Sequence, residues 1–365
     1  MVFVAGIIGS ELAPTKSLST LPVATIVVGT ALSVIPVIRL MSIFGRKKVF
    51  LSACIYSILL IGLCIFSITK EIFFLFSFAS FCLGASVATM MQFRFAAIES
   101  VNLEQRASAT AVVLLGGLIS AFLGTEIATI GKNILETDFA GSFLLLALLF
   151  IIAFVLMIFF EPATKFKEHK EKSKRPLIDI IMQGSFIVAV SAATTGYVVM
   201  SFIMTATPVS MHVMDGHSLH HTKLVLQSHV IAMFLPSLFT AYVVKYIGLT
   251  RMMLIGILFL FVSVLIAFMS HALTNYWWSL VLLGLGWNFL FIGGTNLLPQ
   301  AYNENEKFKV QSINDFLVFG FQAFAALSAG WFVFNFSWEV VLLSVLPLLL
   351  LQLVVLVWWF LKKTN

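Results

Sequence analysis

The chain has 365 residues, 60% hydrophobic and only 10% charged, with a mean hydropathy of +1.05. A soluble domain carries about 25% charged and about 45–50% apolar residues, and no water-soluble fold hides this much apolar side chain without large sticky patches. Lipid is the solvent, so the formal net charge of +6 is read first as membrane topology and only then as affinity for nucleic acid.

A helix that crosses about 30 Å of hydrocarbon needs roughly 20 apolar residues, and only helices or closed barrels satisfy their own backbone groups there. Apolar runs such as 143–160 and 340–360 lack the alternation of a barrel strand. The fold class is all-α membrane. In chain order, a stub at 1–10 is too short to span. It leads into Gly9-Ser10-Glu11-Leu12-Ala13-Pro14 and reads as the exit of a first helix whose beginning is truncated. No basic segment of a cleaved signal precedes it. Complete spans are expected at 18–41, 48–68, 72–97, 108–130, 140–160, 177–206, 220–244, 252–270, 275–298, 312–333 and 338–361. Cys54, Cys64 and Cys82 fall inside apolar runs without zinc-like spacing, as small buried hydrophobes do.

Lys and Arg fall unevenly between the two sets of loops. One set holds Arg46, Lys47, Lys48, Arg106, the basic run 165–175, Lys245, Arg251, Lys307, Lys309, Lys362 and Lys363, and the other only Lys16, Lys70, Lys132 and Lys223. The basic set is cytoplasmic, and the C-terminus lies with it. The charge is accounted for by topology, and no nucleic-acid partner is implied.

The run KFKEHKEKSKR divides the chain into an N-terminal bundle at 1–160, a linker at 161–176 and a C-terminal six-helix bundle at 177–365. The halves resemble each other weakly. Gly45 after the second helix matches Gly248 after the eighth, and Ser108 and Gly116 match Ser312 and Gly320. Such repeats mark secondary transporters with a site near the bilayer midplane. The third, sixth, ninth and twelfth helices are almost free of strongly polar residues. The others carry Glu11, Gln92, Arg94, Glu126, Tyr197, Gln227, His229, Asn288, Asn296, Asp315 and Gln322. Ionisable groups inside a membrane normally face a bundle interior or a watery cavity, so eight helices are expected to surround a polar path.

The segment Phe44-Gly45-Arg46-Lys47-Lys48 looks like the loop signature G-x-x-x-D-R-x-G-R-K, and with this arrangement the whole chain resembles the major facilitator superfamily. Ile38 stands where the signature has its first glycine and Ser42 where it has aspartate. Gly248 and Arg251 are what remains of it in the second half. Ser80 takes the place of the family's fourth-helix arginine. The stretches ELAPTKSLSTLPVA, GHSLHHTKLVLQSHV and LGWNFLFIGGT look like a group of poorly characterised bacterial permeases, with a weak affinity to riboflavin-type carriers. The resemblance implies a major-facilitator-like 12-helix fold of two pseudo-symmetric six-helix bundles.

Several residues carry a chemical and a structural reading side by side. Gly116, Ser120 and Gly124 share one helix face and read as a close-packing stripe. His229 lies about 13 Å into its helix at 1.5 Å per residue. It is either a coupling group that titrates near neutral pH or a histidine hydrogen-bonded to a neighbouring helix. Trp287, Asn288 and Tyr197 either stack and hydrogen-bond a flat organic substrate or pack the bundle, and Gln92, Glu126, Gln227, His229 and Gln322 complete the candidate substrate set. Arg94 and Asp315 form a cytoplasmic gate between the fourth and eleventh helices. Otherwise Arg94 snorkels or pairs with Glu99, and Asp315 caps its helix with Ser312. His212, Asp215, His217, His220 and His221 invite zinc, but Asp215-Gly216 makes a turn and Ser218 a helix cap, and no metal site is assigned. Arg94, His229 and Asp315 are the coupling and gating candidates, and Gly45, Arg46 and Lys47 are the residues of the loop motif.

No phosphate-binding G-x-x-x-x-G-K-[ST] loop and no H-E-x-x-H motif occurs, so neither an ATP-driven pump nor a zinc hydrolase is indicated. The sequence reads as a secondary carrier of a small organic solute, proton- or ion-coupled, monomeric, without cofactor, in a bacterial inner membrane. A membrane enzyme acting on lipid-linked substrates and a non-transporting receptor or assembly factor are the alternatives. A cysteine at Lys170 should react with impermeant maleimide only from the cytoplasmic side. Labelling from outside intact cells would invert the topology.

Overall fold

A computed structural model describes residues 2–15, 18, 21–161 and 175–364. The helices are α1 (Val2–Leu12), α2 (Leu21–Phe44), α3 (Arg46–Thr69), α4 (Phe73–Met90), α5 (Phe93–Glu99), α6 (Arg106–Gly131), α7 (Ala140–Ile158), α8 (Leu177–Ile181), α9 (Gly184–Pro208), α10 (Leu219–Phe234), α11 (Ser237–Met269), α12 (Leu273–Leu297), α13 (Lys307–Asn335), α14 (Trp338–Ser344) and α15 (Leu346–Thr364). Among the described residues there is no strand, and nine stretches are long and apolar enough to cross a membrane. The all-α membrane class stands as expected.

Where the elements depart from the expected spans, a local cause is visible. The fourth span is interrupted between Met90 and Phe93. The eighth breaks after Phe234 because Pro236 has no N–H to continue the ladder. The ninth is fused to the end of the eighth in α11 through Gly248, whose φ of 82° and ψ of 163° are not helical. The eleventh begins at Lys307 rather than at 312. Of the basic linker, residues 162–174 lie outside the described residues. Arg175 at its end is not simply solvated: it donates to both carboxylate oxygens of Glu306 at 3.0 and 2.6 Å and to the Ala301 carbonyl at 2.9 Å.

Gly45 adopts φ 81° and ψ 156°, nearly the conformation of Gly248. That region is essentially closed to residues with a Cβ. Each glycine turns one spanning helix directly into the next, at the position where the two halves of the sequence match.

By contacts, the chain forms two compact units. One holds residues 1–96, 119–170 and 308–323, and the other 97–118, 171–307 and 324–365. In the first, Ile8, Ile26, Ile61, Phe76, Leu83, Phe139 and Phe143 form a buried apolar core. Here α2 and α4 approach until backbone meets backbone: a Cβ on Gly29 would strike the Phe81 carbonyl, and one on Gly84 would strike the Gly29–Thr30 peptide. In the second, Gly284 on α12 lies against the α10 backbone at His229, and Gly256 of α11 against the Gly286 carbonyl. The close-packing glycines are therefore these. The stripe Gly116–Ser120–Gly124 does not pack as expected, since a Cβ on Gly116 or Gly124 would meet nothing within 4 Å.

The break at Pro236 has a bracket. Asn288 of α12 donates to the Met233 carbonyl at 2.7 Å and to Ser237 Oγ at 3.0 Å, and accepts from Thr240 Oγ1 at 3.5 Å. A carbonyl beside a helix break needs a partner from elsewhere in a medium without water, and Asn288 supplies it.

Gly45→Ala and Gly248→Ala should each lower stability by about 1–3 kcal/mol. Gly62→Ala, where a Cβ meets open space within α3, should be neutral or stabilise by up to about 1 kcal/mol. Unfolding midpoints of the purified variants in one detergent decide this. Equal midpoints for all three would remove the conformational argument.

Candidate functional site

Asp315 is fully buried two turns inside α13. Its carboxylate forms an ion pair with the buried Arg94 guanidinium. Gln92 Nε2 donates to Oδ2 at 2.5 Å and Asn314 Nδ2 to Oδ1 at 2.8 Å. Gln92 and Arg94 are two residues apart, and a continuous helix would point them about 200° away from each other. The interruption between α4 and α5 lets both reach one carboxylate. The Arg94 guanidinium also lies over the rings of Phe95 and Phe319, at 4.6 and 5.8 Å, where cation–π attraction adds to the ion pair.

One turn before Asp315, Gln311 accepts a hydrogen bond from Arg46 Nη2 at 2.7 Å, and the Arg46 guanidinium covers the Phe308 ring at 5.1 Å. Lys47 donates to the Ile158 carbonyl at 2.7 Å, satisfying a terminal carbonyl of α7 as basic residues at helix C-termini do. The loop residues thus bind the start of α3 to the ends of two other helices in the same unit. Asp315 is too far inside α13 to cap it, and Glu99 lies 3.5 Å from Lys307.

The offset that relates Ser108 to Ser312 takes Gln92 to Asn296 and Thr110 to Asn314. In the second unit, Thr110 Oγ1 donates to Asn296 Oδ1 at 3.4 Å, both residues being buried. In the first unit Gln92 and Asn314 share the Asp315 carboxylate, and Leu298 stands where the offset would repeat Arg94. One crossing carries a charge pair and its counterpart is neutral.

His229 is fully buried, and its Nδ1 donates to the Leu280 carbonyl of α12 at 2.7 Å. That fixes the tautomer and leaves Nε2 as an acceptor with no partner among the described residues. Tyr197 and Trp287 come together at 5.3 Å edge to face. Phe291 stacks on Trp287 at 5.1 Å, and Phe234 adds an edge contact to it at 5.7 Å. The buried Trp287 indole N–H has no partner among the described residues. Asn288 is not part of this group, because its amide is spent on the α10–α11 break. Glu126 and Gln227 are exposed, and Gln322 is half-buried.

Sequence reasoning passed over Gln311, Asn314 and Gln352. Gln352 is buried on α15 and accepts from Thr195 Oγ1 at 3.4 Å, although the last helix had read as free of strong polarity. Its signal was present: an amide inside an unbroken apolar run is costly unless it finds a partner.

The profile described as Major Facilitator Superfamily matches residues 1–317. The chain is 33% identical over 366 residues to the riboflavin transporter RfnT of Brucella anthropi, covering 98% of this chain and 90% of that one. It is 29% identical over 384 residues to the MFS-type transporter YddS of Bacillus subtilis, covering 98% and 86%. Among solved structures, a variant of the E. coli fucose:proton symporter FucP superposes with a TM-score of 0.72 at 12% identity, over 98% of this chain and 92% of that one. The human organic anion transporter MFSD10 gives 0.69 at 13% identity, over 97% and 89%.

Removing one member of a buried ion pair strands the other, at a cost of about 3–5 kcal/mol. Arg94→Ala and Asp315→Ala should each destabilise by that order, while the Arg94→Leu/Asp315→Leu double variant should lose far less than the sum. Unfolding of the four proteins in a single detergent measures the coupling. Additive losses would show that the two side chains do not depend on each other.

Proposed function

The chain belongs to the major facilitator superfamily, and from that premise we propose that it is a secondary carrier of a flat heteroaromatic solute of the riboflavin kind, working by alternating access between helical bundles at 1–160 and 177–365. It is a multi-pass membrane transporter of a small solute rather than an enzyme, and the lipid-linked enzyme reading is withdrawn. The observation that carries the gate is the buried Arg94–Asp315 pair with Gln92 on the same carboxylate. A charge placed there is costly to keep dry and costly to separate, so it stabilises the one state in which it is paired.

In this reading the pair closes the cytoplasmic end of the path when the site faces outward, and breaks with both groups hydrated when it faces inward. The neutral Thr110–Asn296 contact, also near cytoplasmic helix ends on this topology, is the weaker of the two. The solute class rests on RfnT, 33% identical over nearly the whole chain. The Tyr197–Trp287–Phe291 group supports it, because aromatic faces with an unspent indole N–H suit a flat ring system. Gln92, Glu126, Gln227 and Gln322 supply polar contacts to the solute or the path. Protons are the coupling ion, with Asp315 and His229 as the titratable groups inside spans. The basic loops place the monomer in a bacterial inner membrane with its C-terminus in the cytoplasm.

Proteoliposomes should take up labelled riboflavin saturably. Uptake should rise with an inwardly directed proton gradient and be competed by other isoalloxazines but not by ribose. Arg94→Ala and Asp315→Ala should lower it at least about tenfold, with partial recovery in the charge-swapped double variant. His229→Gln should flatten its pH dependence. Transport of a different solute with no riboflavin uptake would overturn the substrate, and indifference to the gradient would overturn the coupling. An unchanged pH profile in His229→Gln would leave that histidine as a helix–helix tie.

A further inference from the structure

Beyond Pro208 the end of α9 widens into a π-turn at Val209–Met214 and stops at Asp215-Gly216, with Gly216 at φ 69°. Such turns are rare and occur mostly where function requires a departure from the α-helix. Around this end, three loops are joined by side chains that the carrier mechanism does not use. Asp215 Oδ2 accepts from the Tyr276 hydroxyl of α12 at 2.6 Å, and that hydroxyl also lies 2.5 Å from Ser210 Oγ. Asp215 Oδ1 is 3.0 Å from His271 Nδ1, in the α11–α12 turn, and His271 Nε2 is 2.8 Å from Glu339 Oε1, at the start of α14. His217 Nε2 donates to the His271 carbonyl at 2.8 Å, and His212 Nδ1 to the His217 carbonyl at 2.7 Å. Of the residues that invited a zinc site, His212, Asp215 and His217 are engaged in this way. Among the described residues, no group of three or more His, Cys, Asp or Glu is placed to hold a metal.

A neutral imidazole has one N–H and one lone pair. Between two ionised carboxylates, one of its contacts would set lone pair against lone pair. Both contacts are attractive only when His271 is an imidazolium. We propose that His271 is the pin of a proton-dependent clasp, which as a cation ties the end of α9 and the start of α14 to the α11–α12 turn and on deprotonation releases Glu339. Asp215 keeps its hold through Tyr276 and the remaining N–H, whereas the Glu339 side chain is 39% exposed and can turn to water.

The groups facing His271 are Asp215 from the end of α9, Glu339 from α14, Tyr276 from α12 and His217 from the segment before α10. Among the described residues no Lys or Arg forms an ion pair with either carboxylate. The hydrogen bond to Asp215 raises the His271 pKa above its ordinary value, against a smaller opposing effect of partial burial. A group raised in the folded state contributes fully below its unfolded value, near 6.5, and loses that contribution as pH rises through the folded one. The clasp is closed in acid and opens above that range. On the topology proposed above it lies outside the membrane, so it responds to the same acidity that would drive uptake. It steadies the outer end of α9, the helix that carries Tyr197.

The test is hydrogen–deuterium exchange of the purified full chain from pH 5.5 to 8.5, corrected for intrinsic rates, with amides 209–217 and 337–341 as readout. The wild type should lose roughly two- to fivefold of its protection at both segments across a single titration, the scale of one partly exposed ion pair. His271→Gln should show the open level at every pH, and Glu339→Gln a transition shifted to lower pH. Both substituted side chains are part-exposed, so the variants fold, and unfolding midpoints against pH give a second reading of the same transition. Protection in the wild type that does not vary with pH, or an unshifted transition in His271→Gln, overturns the clasp. Neither measurement involves a solute or a membrane side, so this failure is distinguishable from failure of the carrier reading.

Discussion

A carboxylate without solvent exposure, held inside a membrane-length helix, constrains everything near it. Stripping an ion of water costs several kcal/mol even after the protein relaxes, and the surrounding hydrocarbon offers nothing in return. Asp315 is kept in place by Arg94, Gln92 and Asn314 together, and the chain accepts an interruption between α4 and α5 to bring two of them to bear. Gln311 and Phe308 on the preceding turns of α13 are in turn held by Arg46, which the left-handed Gly45 delivers at the first residue of α3. The loop signature and the buried pair are one connected arrangement, not two motifs.

The positions that the internal offset relates to Gln92 and Asn314, Asn296 and Thr110, meet without charge. Thr110 and Asn296 share a single long hydrogen bond, which hydration replaces at little cost, whereas separating Arg94 from Asp315 requires both ions to be solvated anew. The two contacts are thus of unequal strength.

Polar groups elsewhere work as joints in a medium that supplies no water. Asn288 satisfies the carbonyl beside the Pro236 break, His229 ties α10 to α12 through Leu280, and Gln352 ties α15 to α9. In the loops around His271 the balance differs. That histidine and its two carboxylates are partly exposed and screened, so their association is weak enough to be reversed by a proton. The buried Arg94–Asp315 pair has almost no such exposure.

The fold class and the order of the spans were legible in the sequence, because transfer into hydrocarbon is a local, additive property of about 20 consecutive residues. Gly45 and Gly248 were legible as matching turns, since only glycine tolerates their conformation. Arg94 and Asp315 were legible as partners because an isolated intramembrane charge must find one. Tertiary structure alone decided the rest. The stripe at Gly116, Ser120 and Gly124 has the spacing of a packing face, yet the close approaches are made at Gly29, Gly84, Gly256 and Gly284. Spacing fixes which residues share a face but not what that face meets. Asn288 sits beside Trp287 in sequence and points to a different task, and His271, alone in a short turn, gave no periodic signal. Their partners lie some 50 to 70 residues away along the chain, so those contacts exist only after helices that are independent in sequence have packed.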